Sequence, residues 1–177
     1  MQSRVHVPKP AREERSGRGR PLGEIVRQPV FVVAVISAAF GYGIMNLLMV
    51  ATPLAMDFCS HPFAQAAMVI QWHVVGMYAP GLFTGSLIRR YGTLKVILAG
   101  VALVGGCVAV ALSGTTVTHF LVALALLGVG WNFMYTGGTT LLTESYAPAE
   151  KARAQGANDF AVFATMGVSS FSSGALV

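Results

Sequence analysis

Long apolar runs, each closed by a short polar stretch, set the organisation of this chain. They cover about residues 29–56, 64–88, 94–112, 120–142 and 160–177. The first, second and fourth exceed the roughly 20 residues that a helix needs to cross a hydrocarbon core, and the other two approach it. The pattern predicts an all-α membrane protein with about five transmembrane helices. Gln71–Lys95 is the clearest instance: an apolar run ends in the glycine-flanked pair Arg89–Arg90, and a second run starts almost at once. That is a helical hairpin with a tight basic turn.

Finer features modulate the runs. Gly81 and Gly85 form a G-x-x-x-G pattern, expected to admit another helix backbone at close range. Pro80 interrupts the same run, which membrane helices tolerate when neighbours satisfy the freed backbone. Residues 1–28 are rich in Arg, Pro, Gly and Glu and too poor in apolar residues to bury a core. They predict a basic, largely disordered cytoplasmic segment. A secretory signal would have a shorter polar lead and a shorter apolar stretch.

Composition agrees with the pattern. Of 177 residues, 54% are hydrophobic and 11% charged, where soluble domains carry about 25% charged residues. The net charge of +5 suggests nucleic acid only until the charges are placed. Seven of the twelve basic residues fall within the first 27 positions, and the rest lie in the loops after the second and fourth runs. The loops after the first and third runs hold none. This alternation puts the amino terminus in the cytoplasm by the positive-inside rule and argues against a nucleic-acid partner. Cys59 and Cys107 lack companions at metal-ligand spacing and read as small hydrophobes. No catalytic constellation, metal site, cofactor site or phosphate-cradling loop is present in the pattern, so an enzyme is not expected.

The loop GSLIRRYGTLK resembles the signature loop of the major facilitator superfamily. That signature has glycine, three residues, an acid, a basic residue, any residue, glycine, and basic residues nearby. Gly85, Arg90, Gly92 and Lys95 fit it, while Arg89 stands at the acid's place. The lost acid resembles the weaker second copy of the loop. RPLGEIVRQPVF is similar to the end of the family's central loop, and the stretch from Asn132 to Phe160 to helix ten and the loop after it. The resemblance implies helices seven to eleven of a transporter's carboxy-terminal half. Helix twelve and the amino-terminal half would then lie outside this chain, in the same polypeptide or a companion. It also implies that the third run faces lipid, which fits that run's lack of interior Asn, Gln, His or charge.

Polar side chains at mid-depth are costly against lipid and should face a cavity or each other. Asn46, Gln71, His73, Asn132 and Tyr135 are therefore the expected substrate-cavity residues, with Trp131 as a stacking wall. The same amides could equally serve as interhelical glue. His73 could carry a coupling proton or be a neutral, hydrogen-bonded histidine. Gly85, Arg89, Arg90, Gly92 and Lys95 are expected to shape and anchor the inner loop. Asp159, with Asn158, could cap the start of the fifth helix or meet Arg89 or Arg90 as a gate. Glu144, Glu150, Lys151 and Arg153 are expected as solvated loop charges. The implied function is part of a secondary active transporter in the bacterial inner (plasma) membrane. It would move a small neutral or amphipathic solute by alternating access, with protons as a candidate coupling ion. The alternative is a non-transporting membrane fragment or assembly partner.

Overall fold

A computed structural model describes residues 19–175 of the chain. Among them, α1 spans Leu22–Ile25, α2 Pro29–Phe58, α3 Phe63–Tyr78, α4 Gly81–Tyr91, α5 Thr93–Ser113, α6 Val117–Thr143 and α7 Lys151–Ala175, with a 3-10 turn at Pro148–Glu150. The described residues include no strand. Three helices, α2, α5 and α6, are long and apolar enough to cross a membrane, and α3 with α4 makes a fourth span bent by 41°. The fifth span expected from the sequence differs. α7 begins nine residues before the expected start of that run, in the polar stretch KARAQGAND, and carries Ser169, Ser170, Ser172 and Ser173 in its later turns. It does not reach the same apolarity.

Each boundary has a local cause. Pro29 occupies the first turn of α2, where its missing N–H costs nothing. The α3–α4 bend falls at Ala79–Pro80, since proline cannot donate into the helical ladder. Gly92 ends α4 with φ +90° while its N–H donates to the Ile88 carbonyl at 2.9 Å, a backbone conformation that favours glycine. Arg89 and Arg90 in the last turn complement the negative end of that helix.

α6 is the central element. Its residues Leu124, Leu127, Trp131 and Met134 are buried with Met45 and Met56 of α2, Val69 and Met77 of α3, and Val104 and Cys107 of α5. Glycines allow the close crossings. A Cβ added at Gly128 would lie 2.6 Å from the His73 carbonyl oxygen, and one at Gly130 would lie 2.9 Å from that of Gly100. A Cβ at Gly138 would meet the Ala34 carbonyl at 2.9 Å. Without a hydrophobic gradient between lipid and core, such backbone-close packing is what holds membrane helices together. The G-x-x-x-G pattern contributes differently from expectation. Gly81 faces the Asn132 side chain, and nothing among the described residues approaches Gly85. α5 packs on α6 through Val96, Ile97, Gly100, Val104 and Cys107 and turns Leu98, Val101 and Leu112 outward, as a lipid-facing helix does.

The lead also departs from expectation. Residues 1–18 lie outside the described residues, but residues 19–28 are held in place. Ile25 is fully buried against Phe31, Ala34, Ile97, Leu141, Leu142 and Ala154. Arg20 grips Glu150 with both side-chain and backbone nitrogens: Nε to Oε1 at 3.0 Å, Nη2 to Oε2 at 2.8 Å and the backbone N–H to Oε1 at 2.6 Å. Arg20 and Gln28 side chains both donate to the Ser145 carbonyl. Glu150 is therefore no solvated loop charge. It is 2% exposed, and its Oε2 also accepts from the Ala147 N–H, closing the 3-10 turn. The Arg20 guanidinium, followed by the Ala147 N–H, holds this carboxyl well below the usual range, at about 2. The Glu150 carboxylate in turn raises the Arg20 pKa.

Candidate functional site

Four aromatic side chains meet where α2, α3 and α6 converge. The Trp131 and Tyr135 rings, one helical turn apart on α6, stack with centroids 5.1 Å apart and planes at 7°. Tyr42 of α2 stands edge-on to both, 5.3 Å from each. Tyr78, at the end of α3, approaches Trp131 at 6.3 Å, also edge-on. Both geometries suit the ring quadrupoles. The Trp131 indole nitrogen is buried with no hydrogen-bond partner among the described residues. Beside this cluster, Tyr42, Tyr135, Asp159, Val162 and Phe163 line a recess of about 240 Å³. Tyr42 and Tyr78 were not singled out in the sequence. Tyr42 had a usable signal, since it lies one turn before Asn46 on the same face of α2.

The remaining candidates separate into engaged and free groups. Asn132 is buried and bonded at both amide atoms: its Nδ2 donates to the Met77 carbonyl at 2.7 Å, and its Oδ1 accepts from the Thr84 hydroxyl at 2.7 Å. Thr84 also donates to the Pro80 carbonyl at 2.8 Å. These two side chains bind the bent α3–α4 span to α6 at the proline break. Asn46 donates to Ser170 at 2.9 Å, while neighbouring Ser169 donates to the Gly43 carbonyl at 2.7 Å, so this polar set joins α2 to α7. Gln71 is exposed on α3. His73 is fully buried; its Nδ1 lies 2.8 Å from the Leu124 carbonyl. A carbonyl can only accept, so Nδ1 carries a hydrogen and donates it, while Nε2 has no partner among the described residues.

The basic hinge is open to its surroundings. Arg89, Arg90 and Lys95 are exposed; Arg89 donates to Ser86 at 3.0 Å, and Arg90 lies 5.3 Å over the Tyr91 ring. Asp159 does not cap a helix, because α7 starts at Lys151, two turns earlier. Nor does it pair with Arg89 or Arg90, since Arg20–Glu150 is the one ion pair among the described residues. Asp159 accepts instead from Asn158 Nδ2 at 3.2 Å and borders the aromatic recess.

A broken span braced by Asn132 and Thr84, glycine-close helix crossings and the basic hinge frame the comparison with known proteins. The profile of the Major Facilitator Superfamily matches residues 3–177. The chain belongs to the major facilitator superfamily. It is thus an integral membrane protein of a transporter family. Among curated relatives, the riboflavin transporter RfnT of Brucella anthropi is 45% identical over 159 residues, covering 90% of this chain and 40% of that transporter. Two uncharacterised transporters of the same superfamily from Bacillus subtilis, YddS and YdeG, are 35% and 36% identical over 118 residues. These matches take in 66% of this chain and 27% of each relative. The chain therefore spans well under half the length of the curated superfamily members it matches. No solved structure matches it significantly.

Proposed function

We propose that the chain forms one side of a secondary active transporter, and not an enzyme, carrying a planar heteroaromatic solute of the riboflavin type by alternating access. The observation that carries this reading is the stacked Trp131–Tyr135 pair with Tyr42 beside it. Of these rings Tyr42 and Tyr135 border the recess, an aromatic wall that suits a flat ring system, and transporter substrate sites lie near the membrane midplane between repeats. The 45% identity to a riboflavin transporter over 90% of the chain supports the same cargo. The opposite wall of the site would come from a further membrane half, in the same polypeptide or a companion chain.

The charges support an orientation. Arg20, Arg27, Arg89, Arg90, Lys95, Lys151 and Arg153 all lie at one end of the bundle, the cytoplasmic end by the positive-inside rule. The bacterial origin of the curated relatives favours a bacterial inner membrane. His73 is the coupling candidate. Its Nε2 can take up a proton, and comparing the pH profile of uptake between wild type and His73→Gln assigns or removes that role.

The test uses a riboflavin auxotroph lacking its own importer and carrying the intact gene locus. Growth on limiting riboflavin and uptake of labelled riboflavin are expected to depend on the coding region of this chain. Uptake unchanged by its deletion, with the protein shown to be present in wild-type membranes, would overturn the reading.

A further inference from the structure

Asp159 stands out because the structure gives it no structural task. It lies eight residues into α7, about 12 Å from the start of the helix at 1.5 Å per residue. Its contact is a 3.2 Å hydrogen bond from the adjacent Asn158, and a carboxylate can accept about four. It closes the polar stretch of α7 and is exposed, so its carboxyl group is free to meet a solute at the edge of the apolar run. Here it faces the recess it shares with Tyr42, Tyr135 and Phe163.

We propose that this recess reads the edge of the transported ring, with Asp159 accepting a hydrogen bond from an imide-type N–H while the ring packs against Tyr42 and Tyr135. The inference rests on the riboflavin-type cargo proposed above and deepens it by naming the part of the ring that is selected. The donor pattern fits. An imide edge presents one N–H between two carbonyls, and the recess offers the Asp159 carboxyl oxygens as acceptors beside two phenols that can donate. Tyr135 is braced from behind by Trp131, stacked at 7°, so its ring is pre-positioned. Val162, buried at the recess wall, offers no competing polar group.

A hydrogen bond to a charged group is worth enough to shift affinity by roughly ten- to a hundredfold. In the auxotroph carrying the intact locus, 3-methylriboflavin, whose imide nitrogen is blocked, is therefore expected to compete with labelled riboflavin roughly ten- to a hundredfold less well than riboflavin itself. Asp159→Ala should weaken riboflavin uptake by a similar factor and abolish the discrimination. Asp159→Asn, which keeps one acceptor oxygen and the side-chain shape, should retain part of it. Equal competition by the two flavins in wild type, or discrimination that survives Asp159→Ala, would overturn the inference and leave the cargo reading standing. Absence of chain-dependent riboflavin uptake would remove the cargo reading itself. If Asp159-dependent uptake of a planar cation such as ethidium then appeared, the recess would be a cation site and the imide assignment would fall.

Discussion

Asn132 shows why a buried amide can be located from sequence while its partner cannot. Its depth near the middle of α6 marked it as a group needing company, and solute contact and interhelical glue were equally open. The structure gives it two partners 48 and 55 positions earlier, Thr84 and the Met77 carbonyl. The clue lay in another helix: Pro80 breaks the ladder, so α3 must find a donor outside its own turn. Asn132→Leu would leave the Met77 carbonyl without that donor and Thr84 with one bond fewer. Interhelical hydrogen bonds in membranes average about 0.6 kcal/mol, and a buried orphaned carbonyl adds to that, so a loss of about 1–2 kcal/mol is expected. Thermal unfolding in detergent measures it. A melting temperature equal to that of wild type would show that the bonds are not stabilising. His73 was legible in the same partial way. Its mid-depth place in an apolar run marked it as a group needing a cavity or a hydrogen bond, whereas its partner, the Leu124 carbonyl, depends on how α3 crosses α6.

At the scale of elements, the apolar runs at 29–56, 94–112 and 120–142 coincide closely with α2, α5 and α6, because a membrane helix needs only an unbroken apolar run and satisfies its own backbone. Choosing which glycines matter was harder. Gly81 and Gly85 have the familiar spacing, yet the close crossings occur at Gly128, Gly130 and Gly138 of α6. The difference lies in position: α6 sits between α2, α3 and α5 and has backbone against it on several sides, whereas Gly85 faces outward. A paired substitution tests this. Gly128→Ala would drive a Cβ to 2.6 Å from the His73 carbonyl oxygen and 2.9 Å from the Gly76 carbonyl carbon. Backbone cannot swing aside as a side chain can, so a destabilisation of about 1–3 kcal/mol is expected. Gly85→Ala meets no such obstacle and should stabilise by about 0.5–1 kcal/mol through the lost flexibility of glycine. If the Gly85 variant proved the more damaged of the two, the packing account of α6 would fail.

Across the whole molecule, Arg20 and Glu150 join the polypeptide before α2 to the turn between α6 and α7, a separation of 130 positions. Charge counting could not see this pair: both residues look like ordinary loop charges, and the long-range partner is fixed only when α2, α6 and α7 converge at one end. Isolated surface ion pairs contribute little, but Glu150 is buried, its contact is bidentate, and two backbone N–H groups also point at it. The pair therefore has a definite pH signature. The Glu150 carboxyl is depressed to about 2 in the folded protein, below the value of about 4.3 for a free glutamate. Its stabilisation is then fully present above about 4.3 and is lost as pH falls from there towards 2, because protonation is easier in the unfolded chain. Hydrogen-exchange protection factors for residues 19–28 should be constant from pH 7 to 5 and fall between pH 4 and 3. Glu150→Gln, which keeps the shape and removes the charge, should show low protection already at pH 7 and no further loss on acidification. Protection that stayed high in Glu150→Gln would mean that Ile25 and its apolar neighbours, and not the ion pair, hold the lead against the bundle.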